Sequence, residues 1–436
     1  MKRAVIWFKT DLRLHDNETL NKALDQSDEV IPVYCLDDDH FTTNDFGFKK
    51  TGNFRAQFLF ESLTDLDRNL HKIGSGLILL KGKPEIEIAK IAKIFNAEKV
   101  FAKKESVYEE LITQGKVEKE LNKINCILEA YSTDTLYHPE DLPFIINDMP
   151  NVFTDFRKRV EKSSIIRQLI PKPDFISSPT IEKLQLPDME DLNLAQAQFD
   201  SRAAIDCKGG ETEGMKRLHK YLTGTHAIAT YKETRNGMIG ENYSSKFSAW
   251  LAMGCLSPRT VYHEIKKYEQ EFIENDSTYW LVFELLWRDF FAFLFKKYPY
   301  QYFRYHGINS RERCFNKHDN HLFQKWQNGQ TGNDFIDANM LELKYTGWMS
   351  NRGRQNTASY LCHDLKLDWR YGAAYFEQQL IDYDVCSNWG NWAYIAGVGN
   401  NPRGASVFNI EKQANEYDKD KSYRNLWLNK NQIFET

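Results

Sequence analysis

Short apolar runs alternate with amphipathic stretches along the first 132 residues. Runs at 4–8, 30–36, 77–80, 100–102 and 126–131 are rich in Val, Ile, Leu and Phe, and they predict β-strands. Between them, 53–71 and 85–95 space their apolar residues three and four apart, which predicts helices, with Asn53 a candidate N-cap. Strand and helix alternating in this way predict a doubly wound parallel sheet, an α/β domain over residues 1–132. Neither G-x-G-x-x-G nor a P-loop signature occurs, so a nucleotide held in those two ways is not expected.

The pattern then changes twice. Residues 133–204 are dense in proline between 139 and 187, including Pro171 and Pro173, and read as a connector crossing the surface. From 205 to 436 the spacing is helical, at 213–221, 257–269, 278–298, 333–342, 355–366 and 373–381, which predicts an all-α domain.

Composition narrows the function. Lys+Arg 57 against Asp+Glu 61 leaves a net charge of −4, so a nucleic-acid partner must be met by a local basic patch. The 7 cysteines are scattered without a C-x-x-C pair, which disfavours a metal ribbon or a disulfide framework and points to a reducing, cytoplasmic setting. The most apolar stretch, 279–295, contains Glu284, Arg288 and Asp289, and is not expected to span a membrane. Of the 10 tryptophans, all but Trp7 fall at 250 or beyond, either as a Trp-rich core or as a stacking site.

Four constellations carry candidate chemistry. Glu284 and Arg288, four apart, share a helix face with Trp287 and Phe291, as a surface ion pair or as site residues in a greasy helix. Tyr243-Ser-Ser-Lys-Phe-Ser248 gathers hydroxyls and a lysine ahead of a helix start, as a plain cap or as a phosphate cradle. Asn351 and Arg354 lie on one helical face, and Asp382 and Asp384 flank Tyr383, so an Arg354–Asp382 pair is attractive. Asn388-Trp-Gly-Asn-Trp-Ala-Tyr394 reads as a glycine-containing aromatic loop. No histidine stands beside the carboxylates, so a metal is not expected.

The order and spacing of these elements resemble the photolyase/cryptochrome family over the whole chain, within it the cryptochrome-DASH branch. The strings are WFKTDLRLHDN (7–17), YHPEDLPF (137–144), KGGETEGMKRL (208–218), TYKETRNGMIGENYSSKFSAWLAMGCLSPR (230–259), FELLWRDFF (283–291) and NWAYIAGVGNNPR (391–403). The resemblance implies an antenna domain followed by a helical domain holding FAD in a U-shape. It assigns Tyr231, Ser244, Ser245, Lys246, Phe247 and Ser248 to the diphosphate and adenine side. It puts Glu284, Arg288, Asn351, Arg354, Asp382, Asp384 and Asn388 around the isoalloxazine and ribityl, with Asn388 at N5.

The implied activity is light-driven repair of cyclobutane pyrimidine dimers, by electron transfer from excited reduced flavin to a flipped-out dimer. Glu284 and Asn351 would meet the edge of the dimer, Trp287 and Tyr394 its faces, and (6-4) repair is disfavoured because Asn351 stands where that branch has histidine. Gln355 and Tyr394 depart from the Met and Trp of duplex-active members, which points to dimers in single-stranded or looped DNA. Trp392 and Trp369 match the inner members of a tryptophan relay; its outer position aligns with Asn316, for which Trp326 is the substitute. Arg235, Arg352, Arg403 and Lys246 are the candidate phosphate contacts. Glu109, with Glu110 the alternative, is the candidate anchor for a 5,10-methenyltetrahydrofolate antenna. A monomer is expected. The rival function is a blue-light photoreceptor signalling through a partner, disfavoured by the few residues that follow Trp427.

Overall fold

The computed structural model describes residues 1–309, 315 and 319–428. Five strands, β1 (Arg3–Phe8), β2 (Glu29–Leu36), β3 (Ile78–Lys81), β4 (Lys99–Lys103) and β5 (Ile127–Tyr131), form one parallel sheet in the order β3-β2-β1-β4-β5. The helices between them are α1 (Glu18–Gln26), α2 (Asn53–His71), α3 (Pro84–Ile94) and α4 (Tyr108–Asn122). Alternation along β1 sorts its side chains. Val5 and Trp7 pack with Ile88, Ile91, Val117 and Leu121 of α3 and α4, whereas Ala4, Ile6 and Phe8 join a core that continues into the helical half.

Asn53 is the first residue of α2, not its cap. Gly52 takes the cap position, because a Cβ there would collide with the Gln378 carbonyl of the helical half.

The connector is more than a surface crossing. It forms α5 (Phe153–Ser163) and is tied to the N-terminal half, where the Ile176 amide donates to the Ile73 carbonyl (2.8 Å) and Val30 to the Ser177 carbonyl (2.9 Å). Beyond it come α6 (Glu211–His219), α7 (Tyr231–Thr234), α8 (Ser248–Ala252), α9 (Pro258–Glu271), α10 (Asp276–Lys297) and α11 (Asn320–Gln327). The chain ends with α12 (Asp334–Thr346), α13 (Asn351–Ser359), α14 (Trp369–Gln379), α15 (Val385–Ala396), α16 (Ile410–Tyr417) and α17 (Ser422–Leu428).

Helix α10 starts on a capping box: the Asn275 side chain accepts from the amides of Ser277 (2.8 Å) and Thr278 (3.1 Å). The segment 388–394, read above as a loop, is the body of α15. Asp384 caps it by accepting from the Ser387 amide (2.7 Å), and Gly397 ends it at φ 79°. Gly390 sits mid-helix because the Phe291 ring of α10 occupies the space a Cβ would need.

The segment 11–17 is structural glue between the halves. Buried Arg13 donates to the carbonyls of Gly254 (2.9 Å), Thr133 (2.7 Å) and Asp16 (2.9 Å). Asp16 pairs with Arg259 (2.9 Å), and the Glu211 carboxylate accepts from the amides of Leu14 and His15 (3.1 Å).

Candidate functional site

The helical half encloses a cavity of about 510 Å³, within the range of small-molecule and cofactor sites. Its walls are the loop 243–248 with the start of α8, the middle of α10, the first turns of α13, and the segment 380–395 including α15.

The loop is shaped by Arg217, which the sequence reading did not single out. Its guanidinium donates to the carbonyls of Ser245 (3.0 Å), Ser244 (3.3 Å) and Glu241 (3.1 Å), and pairs with the Glu241 carboxylate (2.9 Å). Lys246 adopts φ +57°, an uncommon left-handed conformation for a side chain of this size. Its ammonium lies 3.3 Å from the centre of the Tyr243 ring and has no hydrogen-bond partner among the described residues. Burial pushes it down to about 7, with the Arg217 charge adding to the effect and Glu342 opposing it. Lys246 is 2% exposed, so it does not reach a phosphate at the cavity mouth, and that expectation is withdrawn.

Across the cavity, the Arg354 guanidinium donates to both Asp382 oxygens (2.9 and 3.0 Å) and to the Met349 carbonyl (2.9 Å). The expected Arg354–Asp382 pair is present. Asp384 takes a different partner from Asp382: it caps α15 and lies 3.8 Å from Arg288. Arg288 also donates to the backbone carbonyls of Leu251 (3.3 Å) and Asp134, linking α10 to the connector. Asn388 is buried, with its amide nitrogen anchored on the Ala373 carbonyl (3.0 Å).

Glu284 and Arg288 do not pair with one another. Glu284 is held instead by Arg235, and loss of water raises its carboxyl above the ordinary range, opposed by that guanidinium. Trp287 is stacked on Phe153 of α5 (ring centroids 3.7 Å, planes 10° apart) and meets Tyr394 edge-on (6.2 Å). Gln355 accepts from Arg352 (2.9 Å), which also donates to Asn236 (3.0 Å).

The cavity thus brings together Tyr231, Arg235, the run 244–248, Glu284, Trp287, Arg288, Asn351, Arg352, Arg354, Gln355, Asp382, Asp384, Asn388, Trp392 and Tyr394. Arg403 is exposed and is not among the lining residues. Trp392 touches Phe376 (5.1 Å) and Trp326 (6.2 Å), while Trp369 touches Trp389 (5.7 Å) and donates to the Tyr305 carbonyl (3.1 Å). Trp326 is fully buried, donating to the Thr357 carbonyl (3.1 Å), so it lacks the surface position an outer relay member needs. Asn316 lies outside the described residues.

Glu109 lies on the N-terminal half, exposed and paired with Lys50 (2.6 Å). Its neighbour Glu110 is half-buried, and desolvation and Glu105 push it up to about 7. Nearby Glu377 is likewise pushed up to about 7 by burial, and Arg55 lies over the Tyr383 ring (4.4 Å). Among the described residues, no helix is long and apolar enough to cross a membrane, and no cluster of His, Cys, Asp or Glu has metal-holding geometry.

Comparison with known proteins agrees with this architecture. A family model of DNA photolyase matches residues 4–174, and one of the FAD binding domain of DNA photolyase matches residues 280–435. The protein called cryptochrome DASH in Synechocystis sp. is 48% identical over 97% of this chain and 87% of its own length, and that of Danio rerio is 45% identical over 98% and 83%. The crystal structure of Synechocystis sp. PCC6803 cryptochrome aligns at TM-score 0.94 and 47% identity, covering 98% of this chain and 89% of that one. A bacterial class III photolyase from Agrobacterium tumefaciens aligns at TM-score 0.83 and 26% identity, covering 98% and 86%. The chain belongs to the photolyase/cryptochrome family, in its cryptochrome-DASH branch.

FAD is the cofactor this membership brings, and the cavity fits it. A buried ammonium without a hydrogen-bond partner beside a hydroxyl-rich loop suits a diphosphate. The Arg354–Asp382 pair and the Asn388 amide suit a polar ring edge, and Phe376 and Leu380 an apolar ring face.

Proposed function

We propose that this chain is a light-driven, FAD-dependent lyase that splits cyclobutane pyrimidine dimers, preferentially in single-stranded or looped DNA. The observation that carries the reading is that one cavity is lined both by the cofactor set (Arg354, Asp382, Asn388) and by a base-sized set (Glu284, Trp287, Gln355, Tyr394). FAD, when bound in its reduced form, supplies one electron on excitation and takes it back after the ring has opened, so the reaction has no net redox change.

The residues of the chain bind, orient and exclude water. Tyr231 and the run Ser244 to Ser248 would hold the diphosphate and adenine; Arg288, Arg354, Asp382, Asp384 and Asn388 would hold the ring and ribityl. Trp287 offers an indole face, and Tyr394 a smaller phenol edge, to the flipped dimer. The Glu284 carboxyl, with its affinity for a proton raised by burial, donates to a pyrimidine carbonyl when protonated and accepts from a ring N–H when ionised. Asn351, at the mouth, offers the second polar contact.

The single-strand preference follows from cost. Extrusion of a dimer from a duplex costs a few kcal/mol and least from a single strand, and a pocket with Gln355 and Tyr394 recovers less of it. Arg235, Arg352 and Arg403 are the phosphate contacts of this reading. Glu109, with Glu110 beside it the alternative, would anchor a folate antenna, 5,10-methenyltetrahydrofolate.

The test is light-dependent repair of one dimer in matched single- and double-stranded oligonucleotides, with the absorption spectrum of the purified protein. Repair confined mainly to the single strand supports the reading. Equal efficiency on both removes the strand preference. Flavin photochemistry without repair of either strand replaces the enzyme with a photoreceptor.

A further inference from the structure

The connector helix α5 reaches the cavity wall from behind. Phe153, its first residue, is buried, with its ring parallel to the Trp287 indole at 3.7 Å between centroids. It meets Phe283 (5.1 Å) and Phe290 (5.5 Å) edge-on, so three rings of α10 close around it. The helix is held there by a second contact one turn on. Arg157 donates to the Tyr279 hydroxyl (2.7 Å) and to Glu161 (2.9 Å), and the Tyr279 hydroxyl donates to Glu161 (2.8 Å).

Trp287 lines the cavity together with Phe291, whose ring lies 5.8 Å from it, and Phe153 does not, so Phe153 backs the side of the indole turned away from the cavity. We propose that Phe153 is a positioning residue, a flat buttress that fixes the Trp287 indole so that its cavity side meets the flipped base at a set angle. The inference rests on the reading of Trp287 as a stacking surface for the dimer. The physical reason is preorganisation. A tryptophan with one face in water populates other side-chain orientations, and binding must then select one of them. A parallel aromatic partner removes those orientations before the base arrives, and adds a contact that is lost whenever the indole swings away.

Because Phe153 is argued to act through Trp287, the decisive experiment is a double-mutant cycle. Dark affinity for a single-stranded oligonucleotide carrying one cyclobutane dimer is measured for wild-type holoprotein, Phe153→Leu, Trp287→Leu and the double variant. Flavin content and affinity for the undamaged strand are followed as controls. Leucine fills much of the volume without offering a flat face. Phe153→Leu is expected to weaken dimer binding about threefold to tenfold, with undamaged-strand affinity and flavin content retained. In the Trp287→Leu background the same change is expected to have no further effect.

An undiminished affinity in Phe153→Leu overturns the inference. So does an equal loss in both backgrounds, which would assign Phe153 a general packing role. Wild-type protein that does not distinguish the dimer from the undamaged strand defeats the functional reading itself, an outcome separable from the other two.

Discussion

Arg354 and Asp382, 28 residues apart in sequence, meet at 2.9 and 3.0 Å beside the cavity, and Asp382 is almost completely shielded from water. A carboxylate so placed needs its cation: removal of one partner of a buried pair costs about 3–5 kcal/mol, less where the pair is partly wet, as at Arg354.

Arg354→Met should therefore lower the melting temperature and release flavin. Asp382→Asn, which keeps an acceptor, should be milder on both counts. Thermal melts and flavin fluorescence of the released cofactor check this. Stoichiometric flavin with an unshifted melt in Arg354→Met would contradict the role given to the pair.

Trp392 lines the cavity and Trp326 lies against it, fully enclosed. An oxidising equivalent moved onto Trp326 has no route to solvent at that point. Trp392→Phe is expected to abolish light-driven flavin reduction by an external thiol, and Trp326→Phe to leave it near the wild-type rate. Photoreduction surviving in Trp392→Phe would remove that residue from the relay.

Gln355 tethers Arg352, which also holds Asn236, so its amide serves the rim as well as the pocket. The pair Gln355→Met and Tyr394→Trp should enlarge the stacking face and make the pocket less polar. Base–aromatic stacking is worth about 1–3 kcal/mol per base and a wider face adds part of that, so duplex repair should rise by about tenfold while single-strand repair changes less. Parallel assays on both strands read the ratio; an unchanged ratio refutes the explanation of strand preference.

Glu342 of α12 accepts from the Tyr423 hydroxyl of α17 (2.6 Å), and burial pushes its carboxyl up to about 7. The folded chain thus holds this proton more tightly than the unfolded chain. The stabilisation is complete below the ordinary carboxyl value of 4.5 and is lost as pH rises through about 7. Glu342→Gln keeps an acceptor for Tyr423 and removes the titration. Between pH 4.5 and 7 the wild type should lose on the order of 1–3 kcal/mol relative to the variant. Urea melts across that range measure it, and parallel stability curves for the two proteins would exclude the effect.

The sheet was legible because β1, β2 and β4 run almost unbroken in apolar residues, as strands covered on both faces do. Helix α15 was not, because Gly390 between two asparagine–tryptophan pairs has the look of a turn until Phe291 is seen to require its missing side chain. Partner choice was the other blind spot. Helical spacing offered Arg288 to Glu284, yet Arg235, 49 positions away, takes the carboxylate, and Arg288 turns to Asp384 and the connector backbone. Phe153 gave no signal at all, lying in a proline-rich stretch whose helix becomes meaningful only against α10. Most of the cavity residues already stood in the four constellations read from spacing; the likeness of strings gave them roles, and geometry gathered them while leaving Trp369 and Arg403 off the cavity wall.

The closure of Arg13 onto Gly254, Thr133 and Asp16, with Asp16 locked to Arg259, bears on how this protein can be re-engineered. A chimera that exchanges residues 1–132 for a relative's would part the guanidinium from the Gly254 and Thr133 carbonyls, and Asp16 from Arg259, in the middle of the seam. Such a graft needs its acceptors transplanted with it, so the exchangeable unit is the sheet together with the strip of helical backbone it clasps.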